Sequence, residues 1–267
     1  MGTIFDGKRF AKDKEEELKT KVSELRTKPK LVSILLGNDK ASLLYTNLKE
    51  KTAKRIGAKF EIKKLPSDTS PEKIIGLIIK LNNDKKVNGI MVQLPLPKEL
   101  SKFKIKILNS ITPEKDVDGL TKNSPYTPAT AKAVVEIIKF AITPLPYIGK
   151  KAAVVGANGT VGKSVTGEIK KLGFKVTECD KDTRDLYAKL HEVDLVVSVT
   201  GEPKLIKSEM LKEGVIAIDV GAPDGDLDFS KVSKVASFVT PVPGGVGPVT
   251  IVSLLENLIE AVYNSKH

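Results

Sequence analysis

Apolar positions along the chain fall into short, strand-length runs separated by stretches with helical spacing. "KLVSILLG" (30–37) is one such run, and "ASLLYTNLKEKTAKRIG" (41–57) after it has the pattern of an amphipathic helix stopped at Gly57. "KFEIKKL" (59–65) predicts a second strand. "TSPEKIIGLIIKLNND" opens a second helix, with Ser70 as cap and Pro71 in the first turn, where a missing N–H is tolerated. "NGIMVQLPLP" (88–97) predicts a third strand ended by prolines. A strand–helix–strand–helix–strand order demands crossovers and therefore a parallel sheet.

A second series begins after "PEKDVDGL" (113–120). A helix over "TPATAKAVVEIIKFA" (127–141) and a proline-rich turn, "ITPLPYIGK" (142–150), lead to strands at "KAAVVG" (151–156), "FKVTECD" (174–180), "VDLVVSVTG" (193–201) and "GVIAIDVG" (214–221). "TPVPGGVGPV" then precedes a last helix over 250–263. The expected fold class is α/β in two domains. An N-terminal parallel-sheet catalytic domain (1–127 plus 247–267) is followed by a Rossmann-like dinucleotide-binding domain (128–246), with a cleft between them and the final helix returning to the first.

Composition narrows the partners. At 267 residues, with 40% hydrophobic and 29% charged residues, the chain is ordinary for a globular protein. No apolar run reaches the ~18–20 residues needed to span a bilayer, and the N-terminus lacks the apolar core of a secretion signal, so a cytoplasmic protein is expected. Cys179 is the only cysteine and there are two histidines, which excludes an internal disulfide and a His/Cys metal site. Cys179 fills a strand position and His191 a helix surface. The net charge of +11 favours an anionic partner. Scattered lysines, 5% aromatic residues and no Trp argue against a base-stacking surface, so neither nucleic acid nor membrane is expected as a partner.

"VVGANGTVGKS" sets Gly156, Gly159 and Gly162 between a buried strand and a helix. Small residues there let a pyrophosphate approach backbone N–H groups and a helix N-terminus, so Gly156, Ala157, Asn158, Gly159, Thr160, Val161 and Gly162 are candidate dinucleotide contacts. Thr200, Gly201, Gly221 and Ala222, at the ends of later strands, join them. The rival is a phosphate-cradling P-loop over Ala157–Ser164, with Lys163 on phosphates and Ser164 on magnesium. Ala157 stands where that motif wants Gly, and "VDLVVSVTG" ends without a metal-holding carboxylate. Asp180 ends the second strand of this series, where a carboxylate suits a ribose diol and repels a 2′-phosphate. Lys181 and Arg184 add positive charge nearby. The balance leans slightly toward NAD over NADP.

"ASLLYTNLK", "NGIMVQLPLP", "PEKDVDGL", "PYTPAT", the glycine turn, "IDVG" and "TPVPGGVGPVT" occur in the order seen in the bifunctional methylenetetrahydrofolate dehydrogenase/cyclohydrolases, and the chain resembles that family over nearly its whole length. The resemblance implies oxidation of 5,10-methylenetetrahydrofolate with a nicotinamide cofactor, commonly NADP, then hydration of the methenyl cation to 10-formyltetrahydrofolate, a donor in purine biosynthesis. It also implies a homodimer. By the same resemblance Tyr45 stacks on the aminobenzoate ring and Lys49 is the active-site lysine, bonded to Gln93. Asp118 grips the pterin, and Pro243, Gly244 and Gly245 contact it. Where the family's turn reads Gly-Arg-Ser this chain has "GAN", so Ala157 replaces an arginine that would face a 2′-phosphate. Asp180 and Lys181 replace a His-Ser pair. The segment between "KDVDGL" and "PYTP" is also shorter than usual. A dehydrogenase acting on another pterin one-carbon carrier would satisfy the same contacts.

The residue types suit that chemistry. Four positions on a helix bring Tyr45 and Lys49 within about 40° of one face. An amide at Gln93 can accept from the amine while donating elsewhere. Hydride loss builds positive charge that a charged lysine would oppose, so a desolvated lysine with a lowered pKa is the useful form. A carboxylate at Asp118 can accept two parallel N–H bonds from an aminopyrimidinone edge, whereas Asp116 suits the turn itself.

Overall fold

The computed structural model describes residues 2–142 and 147–265; the centre of the proline-rich turn expected at 142–150 lies outside the described residues. Along the chain run β1 (Thr3–Ile4), α1 (Gly7–Ser23), β2 (Lys30–Leu36), α2 (Lys40–Arg55), β3 (Lys59–Leu65), α3 (Pro71–Asn83), β4 (Gly89–Val92), α4 (Lys104–Leu108) and α5 (Ala129–Ala141). They are followed by β5 (Lys151–Val155), α6 (Thr160–Lys171), β6 (Lys175–Cys179), α7 (Leu186–His191), β7 (Leu195–Ser198), β8 (Ile216–Asp219), α8 (Phe229–Val235), β9 (Phe238–Val239) and α9 (Val246–Asn264). The chain divides into two units, one of residues 12–129 with 251–267, the other of 1–11 with 130–250.

The first unit holds a parallel sheet in the order β3-β2-β4. Central β2 is buried from Leu31 to Leu36, as an apolar run covered on both faces should be. Edge strand β3 carries lysines and Glu61 instead, with Glu61 paired to Lys30 at 2.7 Å. Ser70 caps α3 and Pro71 opens it. Ile74 and Ile78 of α3 pack with Val32, Ile34, Ile90 and Ile107 in one core. β4 stops at Val92 and does not reach 97, because prolines at 95 and 97 have no N–H for the ladder. The end of α9 belongs to this unit: Asn257 donates to the carbonyls of Val117 and Thr127, both at 2.9 Å. By length and composition α9 could cross a membrane, with 19 residues and mean hydropathy 1.3, an exception to the reading from apolar runs. It is 67% buried, which marks a core helix.

The second unit holds six parallel strands in the order β1-β9-β8-β7-β5-β6. From β5 the chain crosses to β6 on one side, then returns to β7 on the other, so the strand order reverses at β5/β7. Residues 1–11 were expected in the catalytic domain but group here. β1 pairs with β9, Thr3 opposite Phe238 and Ile4 opposite Val239. Phe5 then packs its ring against Phe10, Phe140 and Phe238 at 5.4–5.6 Å. A two-residue strand shows no alternation, so the sequence pattern gave no sign of it.

Candidate active site

Asp39 fixes where α2 begins, its carboxylate accepting from the Ser42 amide at 2.8 Å. From that start, Ser42, Thr46, Lys49, Thr52 and Ala53 form the buried stripe of the helix. Lys49 therefore lies on the inner face, 9% exposed. Its ammonium donates to Gln93 Oε1 at 2.9 Å. The same oxygen accepts from the Thr46 hydroxyl at 3.4 Å, and Gln93 Nε2 donates to the Leu94 carbonyl at 2.7 Å. This network turns the amide oxygen toward the amine. Tyr45 sits one turn before Lys49 on α2 and is half-buried.

Gln93 directly follows β4, and α2 follows β2, so the pair meets at the carboxyl end of the sheet where strand order reverses, the usual ligand position in open α/β sheets. Burial lowers the Lys49 pKa, with the Asp118 carboxylate pulling it back up. Burial likewise raises Asp118, which Lys49 lowers and Asp116 raises further. Asp116 is occupied in the turn: its carboxylate accepts from the Thr121 amide at 2.8 Å, and its carbonyl from Gly119 N–H at 3.0 Å. The result is an amine and a carboxylate that each hold the other nearer the charged state against desolvation.

In the other unit, a cavity of about 450 Å³ opens at the β5/β7 switch point. Gly156, Asn158 and Gly159 of the glycine turn line it, with Asp180 and Lys181 after β6 and Val199 and Thr200 after β7. Gly156 has φ +88, a conformation that favours glycine. Gly162 packs the helix onto the turn; a Cβ there would lie 2.0 Å from the Gly156 carbonyl. Asn158 donates to the Asp180 carboxylate, which also accepts from the Asp182 amide at 2.9 Å. A glycine turn at a helix N-terminus with an acid at the neighbouring strand end fits a dinucleotide. Ser164, the metal-binding residue of the P-loop alternative, instead donates its hydroxyl to the Thr160 carbonyl at 3.2 Å.

Some expected cofactor contacts have other work. Ala157 is buried, and its amide and that of Gly156 both donate to the Cys179 carbonyl, at 3.1 and 2.8 Å. Gly162 is buried under the turn. The Gly221 amide donates to Asp219 Oδ1 at 2.8 Å, and neither Gly221 nor exposed Ala222 lines the cavity. Gly201, at φ +71, lies beside Thr200 and also does not line it. Thr160 and Val161 start α6. Pro243, Gly244 and Gly245 belong to this second unit, just before α9. Pro243 is exposed, Gly244 has φ +107, and Gly245 is buried where a Cβ would meet the Pro241 carbonyl at 2.5 Å. Sequence reasoning missed Thr46, whose helical spacing from Lys49 was available as a signal. It also missed Thr183, Leu186 and Leu205 in the cavity wall, and Asp226, whose partners are distant in sequence. Cys179 is buried in β6 and His191 is exposed at the end of α7, as expected.

A parallel α/β unit with a switch-point cavity behind a glycine turn, joined in one chain to a second α/β unit with a buried lysine–glutamine pair, defines a dinucleotide-dependent enzyme. The profile of the tetrahydrofolate dehydrogenase/cyclohydrolase catalytic domain matches residues 5–118, and that of the family's NAD(P)-binding domain matches 128–266. The chain belongs to the tetrahydrofolate dehydrogenase/cyclohydrolase family. It is 41% identical over 280 aligned residues to the bifunctional protein FolD of Staphylococcus haemolyticus, covering 98% of this chain and 97% of that one. Among solved structures, the FolD enzyme of Campylobacter jejuni superimposes with a TM-score of 0.92 at 36% identity, covering 99% of this chain and all of that one. The Trypanosoma brucei enzyme, solved with NADP and an inhibitor, gives 0.93 at 32% identity, covering 100% and 99%.

Proposed function

We propose that the chain oxidises 5,10-methylenetetrahydrofolate to the methenyl form with a nicotinamide dinucleotide and hydrolyses that product to 10-formyltetrahydrofolate, with Lys49 as the proton-transfer group. The observation that carries this reading is the desolvated amine of Lys49 held at 2.9 Å on Gln93, with the charge of Asp118 acting on it. The bound nicotinamide supplies the hydride acceptor. Lys49, kept nearer neutrality by burial, does not oppose the positive charge that hydride loss leaves on the substrate's two nitrogens. In hydrolysis its neutral amine accepts a proton from water as that water adds to the methenyl carbon. The amine returns that proton to N5 as the carbon–N5 bond breaks, and the remaining hydroxyl proton is released to solvent as the formyl C=O forms. Asp118 accepts from the pterin's N–H edge, and Tyr45 offers a ring face to the aminobenzoate.

The experiment mixes enzyme, methylenetetrahydrofolate and either NAD or NADP and follows the methenyl absorbance, which is expected to rise and then decay. No rise with either dinucleotide overturns the dehydrogenase half; a rise that persists at the buffer's own rate overturns the hydrolytic half.

For the cofactor, we read the site as preferring NAD. The Asp180 carboxylate at the end of β6, fixed by Asn158, favours ribose hydroxyls and repels a 2′-phosphate, and buried Ala157 offers no cation to offset it. Lys181 on the same cavity works the other way but is exposed and screened. The expected result is a kcat/KM at least tenfold higher with NAD, falling toward parity in Asp180→Ala. A native preference for NADP removes the assignment. A cytoplasmic location rests on the polar N-terminal sequence, while the homodimer and the supply of formyl groups to purine synthesis rest on the family resemblance; sedimentation of the purified chain as a two-chain species is the expected result for the homodimer.

A further inference from the structure

The wall of the dinucleotide cavity formed by Val199, Thr200, Glu202 and Leu205 is held from behind by a buried acid that the reaction itself does not use. Asp226 is fully buried, and its Oδ2 accepts both the Ser198 hydroxyl and the Thr200 amide, each at 2.7 Å. Its carbonyl accepts from the Ile206 amide at 2.9 Å, and the Asp228 amide donates to the Ile206 carbonyl at 2.8 Å. One short segment thus grips both ends of the stretch from Thr200 to Ile206. That segment hangs in turn on Asp219, whose carboxylate accepts from the amides of Gly221, Asp226 and Leu227 at 2.8, 3.0 and 2.9 Å. The Asp219 amide donates to the Thr240 hydroxyl at 2.7 Å, which ties the arrangement to the residue after β9. Asp226 Oδ1 has no hydrogen-bond partner among the described residues and faces Gly221, where a Cβ would lie 2.3 Å away. A buried carboxylate with one oxygen unmatched is costly and calls for a reason. Its other oxygen supplies one: a single acceptor at the right depth fixes a backbone amide at the cavity rim.

We propose that Asp226 is a positioning residue that sets the Thr200–Ile206 wall of the dinucleotide cavity, acting through the Thr200 amide. The proposal rests on the cavity being the dinucleotide site. Its test uses the full chain and Asp226→Ala. Hydrogen exchange of the ligand-free chain is expected to quicken at least tenfold at amides 200–206. Affinity for NADH, titrated by its fluorescence, is expected to fall at least tenfold, with a matching rise in the dinucleotide KM. Hydrolysis of added methenyltetrahydrofolate, which needs no dinucleotide, stays within about twofold. Asp226→Asn keeps an acceptor oxygen for Ser198 and Thr200 and is expected within about threefold of the native chain in every measurement. A folded Asp226→Ala with native exchange at 200–206 and native NADH affinity overturns the proposal. If that variant does not fold, Asp226→Ser, which leaves room for a water, decides by the same two readings. A native chain that binds neither NADH nor NADPH refutes the cofactor reading instead, while the exchange result still decides whether Asp226 holds the wall.

Discussion

Lys49→Met is expected to slow conversion of methenyltetrahydrofolate to the 10-formyl product by roughly 10²–10⁴-fold, the range that a positioned proton-transfer group contributes. The fold should survive the change. Lys49 is 9% exposed and its amine is desolvated, so an unbranched apolar side chain suits the site at least as well as the amine does. Gln93 is not stranded, because its Oε1 keeps the Thr46 hydroxyl at 3.4 Å and its Nε2 keeps the Leu94 carbonyl. Asp118, however, loses the neighbouring charge that offsets its desolvation, so thermal unfolding of the variant should occur near the native midpoint and not above it. The dehydrogenase step should suffer less, since methionine brings no charge against the forming cation. Native-like formation of 10-formyl product by a folded Lys49→Met chain would exclude Lys49 from the chemistry.

How much of this was visible beforehand depends on the range of each signal. β2, β3 and the start of α3 follow from local patterns: a continuous apolar run, a charged edge strand, and Ser70 before Pro71. α1 escaped notice because its buried positions, Ala11, Leu18 and Val22, are single residues set among lysines and glutamates. The N-terminal strand escaped because its partner, β9, lies at the far end of the chain. The site divides the same way. Lys49 and Gln93 could be paired only through family resemblance, since nothing local links a mid-helix lysine to a glutamine beyond the next strand. The glycine turn announced the cavity, but not that the amides of Gly156 and Ala157 are spent on Cys179, a contact between neighbouring strand ends. Asp226 resembles any acid in a polar loop until Ser198 and Thr200 are brought against it.

Asp118→Ala tests the other half of the pair and should change two measurements at once. Hydrogen bonds to a charged group are worth about 1.5–3 kcal/mol each. Losing a two-bond grip on the pterin edge should therefore weaken a folate analogue by roughly 10²–10⁴-fold. The second effect is on pH dependence. Lys49 must be neutral to take a proton from water, so the hydrolytic kcat rises with pH through the lysine's pKa. Burial places that pKa below the ordinary lysine value, and the carboxylate of Asp118 raises it. Removing the carboxylate leaves desolvation unopposed, so the rising limb of kcat at saturating substrate should move toward acid. A purely binding role for Asp118 would raise KM and leave the limb where it was. A limb shifted toward alkali would mean that the acid helps to deprotonate the amine, contrary to the sign of the charge interaction that couples Asp118 to Lys49.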